Sequence, residues 1–166
     1  MTARKVDLNR PVFVIEQMKD CHSHKWHTRF DETKYEEFSR NVSSIITEHV
    51  PDAVILINQI PKKWADHDQY CQLIPDDDEN CDVYAMIPRL GGFEVSTVQK
   101  GACTLIYSKI LAGMWPHYKS LEAKVGRYME AVKANKNMKE VQAEFNFDPT
   151  KVTRQSRGHT ASGGSR

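Results

Sequence analysis

The sequence has no apolar run near the length of a membrane-spanning helix. Its first residues, Met1-Thr-Ala-Arg-Lys-Val6, carry none of the apolar stretch that opens a secretory signal. Cysteine is scarce, at four in 166 residues. In a chain without a secretory signal these are expected to be reduced thiols rather than a disulfide framework. Surplus charge is also lacking. The formal net charge is +1, which argues against bulk binding to nucleic acid or anionic membrane, since both draw on an excess of basic residues. No internal repeat, no phosphate-cradling glycine loop and no Ser-His-Asp arrangement can be argued from the sequence. What is present is 40% apolar and 27% charged residues, the balance of an ordinary domain long enough to bury a core. The expectation is a cytosolic globular protein.

Charge is unevenly placed. The segment 62–88 holds Asp66, Asp68, Asp76, Asp77, Asp78, Glu79 and Asp82 against Lys62 and Lys63. The end, 150–166, holds Lys151, Arg154, Arg157 and Arg166 and no acid. Such runs are ordinarily solvated loops and tails; the sharper reading is that the basic tail docks on an acidic partner. The run Asp76 to Glu79 lacks the spaced ligands and the glycine of a calcium loop, so solvation is the simpler reading there.

Periodicity supplies the elements. Residues 11–18, Pro-Val-Phe-Val-Ile-Glu-Gln-Met, read as a buried strand. The polar stretch 19–30 reads as a loop. A helix is expected from Thr33, where Thr33-Lys-Tyr-Glu36 has the form of a capping box. Tyr35, Phe38, Val42, Ile45 and Ile46 form its apolar stripe, and His49 and Pro51 mark its stop. Ala53–Ile60 reads as a second strand covered on both faces, joined to the first by a crossover that implies parallel pairing. The segment 62–88, punctuated by Pro75 and Pro88, reads as an inserted loop, part of it folded back through Trp64, Tyr70, Leu73 and Ile74. Residues 91–98 and 102–110 read as a hairpin, and Gly113–His117 as a bend. A second main helix is expected to be capped by Ser120 and to face the core with Leu121, Val125, Met129 and Val132. Asn137-Met-Lys-Glu140 can begin a further short helix with Met138, Val141 and Phe145 on one side. From Pro149 onward the composition is that of a flexible tail. The plan is an arm (1–10), a domain (11–135) with its insert (62–88), and a short helix with a basic tail (136–166).

With the order β-α-β-β-β-α in hand, particular residues carry a likeness. The first strand is followed by Cys21-His22-Ser23-His24; Pro88 stands four residues before Gly92-Phe93-Glu94-Val95; Ser108-Lys109 ends the last strand ahead of Gly113. This ordered set resembles the selenoprotein W (Rdx) branch of the thioredoxin-like proteins. The resemblance implies an α/β, thioredoxin-like β-α-β-β-β-α domain with a four-stranded mixed sheet and two main helices. It also implies a redox loop after the first strand and a role for Pro88 as the cis proline opposite that loop.

The family motif is Cys-x-x-selenocysteine or Cys-x-x-Cys, and here its second position is His24. A dithiol works because one thiolate attacks a disulfide and the other resolves the mixed intermediate. Imidazole cannot form that bridge, so Cys21 lacks a resolving partner and loss of dithiol activity is the expectation. Two other readings keep chemistry at the loop. His22 or His24 could lower the Cys21 pKa and leave a single reactive thiol that uses glutathione as resolver. Alternatively, Cys21, His22, His24 and His27 could bind zinc, although no second ligand pair at zinc spacing follows. The plain reading leaves them as solvated loop residues, with Trp26 packed on the sheet edge. Cys103, alternating with apolar neighbours, reads as a small core residue; Cys71 and Cys81 flank the acidic turn.

The functional expectation is a redox-inactive module that serves as a structural or adaptor subunit, with no cofactor. Protein partners in a larger assembly are implied. The basic tail (Lys151, Arg154, Arg157, Arg166) suits an acidic polymer, which makes tubulin or axonemal proteins of a ciliary lattice the candidates. The alternative is a single-thiol oxidoreductase or glutathione-linked redox protein centred on Cys21.

Overall fold

The computed structural model describes residues 5–7, 9–18, 32–61, 80–86, 88–89, 91–99 and 102–145. Strand β2 (Val12–Gln17) lies at its centre, with Val12, Phe13, Val14 and Ile15 all buried, so both of its faces are covered. It pairs in parallel with β3 (Val54–Ile57), Val12 opposite Val54, and helix α1 (Glu32–His49) supplies the crossover that parallel pairing requires. On its other side β2 pairs antiparallel with β6 (Phe93–Gln99), which pairs antiparallel with β7 (Ala102–Ser108). The resulting four-stranded mixed sheet, in the order β3-β2-β6-β7, is the one expected and is consistent with the thioredoxin-like α/β class.

Alternation along the strands divides the core. Phe13, Ile15, Phe93 and Val95 face one way and pack against Tyr35, Val42 and Ile46 of α1. The same cluster takes in Leu121, Val125, Tyr128 and Ala131 of α3 (Tyr118–Lys133). Leu121 and Val125 of the expected stripe thus face the core, whereas in the second half Tyr128 and Ala131 replace Met129 and Val132, which are half-buried at its margin. A bulge at Val95/Ser96 leaves Ile106 as an extra residue in β7, so that Ile106 and Tyr107 both join this cluster. On the opposite face Val12, Val14, Leu56 and Cys103 form a second cluster with Val6, which places Cys103 in the core as expected.

That second face is covered by a sheet that the periodicity does not announce. β1 (Lys5–Asp7), β4 (Gln59–Pro61) and β5 (Asn80–Ala85) form a three-stranded antiparallel sheet in the order β1-β5-β4. The arm therefore contributes a strand, and the end of the acidic stretch is strand rather than loop. The expected single strand over 53–60 is divided at Asn58, whose φ of 51° is left-handed. Asn58 N–H donates to the Ile15 carbonyl (2.9 Å), and its carbonyl accepts from Met86 N–H (2.9 Å). Its side-chain amide exchanges two hydrogen bonds with the backbone of Gln17, at 2.8 and 2.9 Å. One buried residue thus passes the chain from the first sheet to the second.

Several boundaries move for local reasons. Helix α1 begins at Glu32, so Thr33 lies in its first turn rather than at its cap. Helix α3 begins at Tyr118 behind His117, which makes no side-chain cap bond, and Ser120 lies inside the helix. β7 stops at Ser108, whose Oγ accepts from Leu111 N–H (3.0 Å) and caps α2 (Lys109–Ala112). Gly113, at φ 72°, ends that helix in the left-handed conformation glycine adopts without steric cost. Asn137 caps α4 (Met138–Glu144) through Lys139 N–H, as expected. This helix is no appendage: Met138, Val141 and Phe145 lie in the main core. The Gln142 amide donates to the Leu105 carbonyl (2.9 Å) and accepts from Leu105 N–H (2.6 Å), pairing the outer edge of β7.

Candidate functional site

The polar groups with the strongest mutual electrostatics gather where β2 ends and β6 begins. Glu16 and Glu94 stand directly opposite one another across these two strands, and each is sealed from solvent, at 3% and 1% exposure. Arg89, 3% exposed, places Nε 2.8 and 3.0 Å from the two carboxylate oxygens of Glu16. The chain can cross so closely above this pair because residue 92 is glycine. A Cβ there would lie 3.0 Å from the Arg89 carbonyl oxygen and 3.6 Å from Glu16 Oε2.

Glu94 has a different environment. Its Oε1 accepts from Ile110 N–H (3.0 Å) and it is hydrogen-bonded to Ser108, whereas Oε2 is buried without a hydrogen-bond partner. Burial pushes its carboxyl up to about 8; the Arg89 guanidinium and the bonds from Ser108 and Ile110 oppose that shift, and Glu16 adds to it. At neutral pH Glu94 is therefore a carboxylic acid, which removes the repulsion that two facing carboxylates would otherwise exert.

Lys109 closes the site from α2. Its Nζ donates to the Gly91 carbonyl (3.1 Å) and lies 5.0 Å from the Trp115 ring centroid and 5.7 Å from that of Tyr35. Burial lowers its pKa and Lys34 adds to the lowering, while Glu94 opposes both. Trp115 stacks on Phe38 at 4.3 Å between centroids and also packs against Phe93. Burial raises Tyr35 and Tyr107 to about 12, with Glu94 as the lesser cause in each. Met18 staples the strand ends together: its N–H donates to the Gly92 carbonyl (3.0 Å), and its Sδ accepts from Gly91 N–H and the Tyr35 hydroxyl. Chemically, the cluster can hold a proton on Glu94 near neutrality and hand it to solvent in mild alkali.

The chain matches no protein-family model, no curated protein and no solved structure. The site must be read from its own residues.

Of those that sequence reasoning singled out, Glu94, Ser108 and Lys109 lie in it, whereas the candidate redox, metal and tail residues do not. Cys21, His22, His24 and His27, and the tail residues Lys151, Arg154, Arg157 and Arg166, all lie outside the described residues, as do Trp26, Trp64 and the Asp76–Glu79 run. Among the described residues no group of three His, Cys, Asp or Glu is placed to hold a metal ion, and no helix is long and apolar enough to cross a membrane. No cis peptide bond occurs among them either; Ile87, which precedes Pro88, lies outside that set. Sequence reasoning passed over Glu16 and Arg89, and quoted Glu94 only as one residue of a strand motif. The available signal was a lone acid in each of two apolar strands, Val-Phe-Val-Ile-Glu16 and Gly-Phe-Glu94-Val. A charge there must be paired or neutralised.

Proposed function

We propose that this chain is a redox-inactive, selenoprotein W-like module that acts as a structural or adaptor subunit of a larger cytoplasmic assembly. The observation that carries the reading lies at the end of β2, from which the chain runs on toward Cys21. There the described ionisable groups are engaged within the domain: Arg89 pairs with Glu16, the Ile110 amide and Ser108 bond Glu94, and Lys109 rests on the Gly91 carbonyl and the Trp115 ring. Such closure fixes a corner of the domain and does not aim charge at a substrate. His24, at the position of the family's second redox atom, supports the same reading from the sequence. The basic residues Lys151, Arg154, Arg157 and Arg166 are then the partner-binding set, and an acidic filament is the fitting partner, with tubulin or axonemal proteins of a ciliary lattice as its most specific form. Cross-linking mass spectrometry on natively purified full-length protein tests this. Cross-links from the tail to one fixed acidic neighbour are expected, and Lys151→Glu, Arg154→Glu and Arg157→Glu together should release the protein from it. Unchanged retention of the triple variant sinks the idea.

One observation favours a second reading, a single-thiol oxidoreductase. Cys21 follows Met18 by three residues in sequence, and Glu94 and Lys109, both with displaced pKa values, lie at the same strand end. It requires that Cys21 alkylate faster than free cysteine at pH 7 and that Cys21→Ser abolish glutathione-dependent turnover. A Cys21 no more reactive than free thiol rules it out.

A further inference from the structure

Glu94 faces two neighbours by register, Glu16 across β2 and β6 and Ser108 across β6 and β7. The guanidinium of Arg89 is engaged with Glu16. The other titratable or charged groups that face Glu94 are Tyr35 from α1, Tyr107 from β7 and Lys109 from α2, with Lys34 of α1 acting on Lys109. The two tyrosines hold their protons to about 12. Lys109 is therefore the group whose charge can move to meet a change at Glu94, because its ammonium sits on a flexible stem and rests on a neutral carbonyl, that of Gly91.

Glu94 is also tied to the corner where β7 gives way to α2. Its Oε1 holds Ile110 N–H in the first turn of α2, and Ser108, to which it is bonded, caps that helix. Helix α2 has four residues, ends at left-handed Gly113, and leads to Met114, 66% exposed, and then to Trp115. The Tyr107 hydroxyl donates to the Met114 carbonyl. So short a helix has little intrinsic stability and relies on its end contacts.

We propose that Glu94 is a protonation-controlled latch on the corner formed by β7, α2 and Trp115. With Glu94 neutral, the second carboxylate of the facing pair carries no charge, Lys109 stays on Gly91 and against Trp115, and the corner is closed. When Glu94 releases its proton to water, two carboxylates face each other beside one guanidinium. The new charge draws the Lys109 ammonium off Gly91 and off the indole, and water enters to solvate Oε2. The bonds from Ile110 N–H and Ser108 favour the anion, so the start of α2 stays held while the contact between Lys109 and Trp115 is lost. The latch stands whether or not the adaptor reading holds, since it involves only groups within this domain.

Carboxyl-detected and amide NMR on the full chain between pH 5 and 10 tests it. The Glu94 Cδ signal should titrate in one step near pH 8, and the Ile110 amide, the Lys109 Cε and the Trp115 indole N–H should move with the same midpoint. In Glu94→Gln the Ile110 and Trp115 signals should stay flat across that step. A Glu94 Cδ that titrates in the ordinary carboxyl range, or that titrates near 8 while Ile110 and Trp115 stand still, overturns the proposal. If Glu94→Gln fails to fold, the wild-type titration decides alone.

Discussion

Arg89 reaches both carboxylate oxygens of Glu16, at 2.8 and 3.0 Å, in a site where each residue is 3% exposed. A charge buried this deeply is tolerated only while its partner is present. Arg89→Met should therefore lower the unfolding free energy by roughly 3–5 kcal/mol, because Glu16 is left buried and uncompensated. Adding Glu16→Gln should recover part of that loss, so the two changes will be strongly non-additive in a double-mutant cycle read by urea denaturation. Additive losses would show that the pair is not coupled.

The pH dependence of stability follows from Glu94. Folded, it keeps its proton up to about pH 8; unfolded, it ionises around the ordinary 4.5. Between those values the folded chain holds the extra proton, so this group's contribution is fully present below 4.5 and is lost as pH rises to about 8. Within the window the loss is ~1.4 kcal/mol per pH unit, and above it the contribution is constant. The difference in stability between wild type and Glu94→Gln, measured by urea titration at several pH values, isolates the term from the remaining carboxyls. A difference that is level from pH 5 to 8 would contradict the assignment.

Asn58 combines a left-handed backbone with two side-chain bonds to Gln17, and the two contributions can be separated. Asn58→Gly keeps the backbone but deletes the bonds, which leaves the Gln17 N–H and carbonyl unpaired at a cost of roughly 1–3 kcal/mol. Asn58→Ala adds the strain of a non-glycine residue at that φ, a further ~1–2 kcal/mol. Chemical denaturation should rank wild type, Gly and Ala in that order of falling stability. If Ala equals Gly, the backbone strain is absent.

Gln142 seals Leu105 on the outer strand. Gln142→Ala should speed hydrogen exchange at the Leu105 amide far more than at Phe13 or Val95 in the strands inside, and should cost roughly 1–3 kcal/mol. An unchanged exchange rate at Leu105 would mean that another group serves this edge. A chain ending at Asn135 loses Met138, Val141 and Phe145 from the core as well, and should show no cooperative thermal transition by circular dichroism.

The sequence makes the four-stranded sheet legible because β2 and β3 are apolar runs, β6 and β7 are rich in β-branched and aromatic residues around a glycine turn, and α1 carries a clean stripe of Tyr35, Val42 and Ile46. The second sheet is not legible, for a physical reason. Lys5–Asp7 and Gln59–Pro61 are three residues each, too short for a period-2 signal, and β5 shares its stretch with an acidic run. Asn58 hides in the middle of an apolar run, where nothing in composition marks a left-handed turn. In the site the residue types were visible but not their meeting. Glu16 and Arg89 lie 73 positions apart, and Glu94 reads as one letter of a strand until the register sets it against Glu16. The chemistry expected at Cys21 rests on residues outside the described ones, so it enters the functional reading as a proposal.

The bond from Gln142 to Leu105 has a consequence for the chain as it is made. Synthesis runs from the amino end, so all seven described strands leave the ribosome before the residue that bonds the outer edge of β7. Until residue 142 arrives, the Leu105 N–H and carbonyl on the outer edge of β7 are open to any neighbouring nascent chain. The last short helix thus acts as its own chaperone, and the hazard it ends is longest when translation slows between residues 108 and 142.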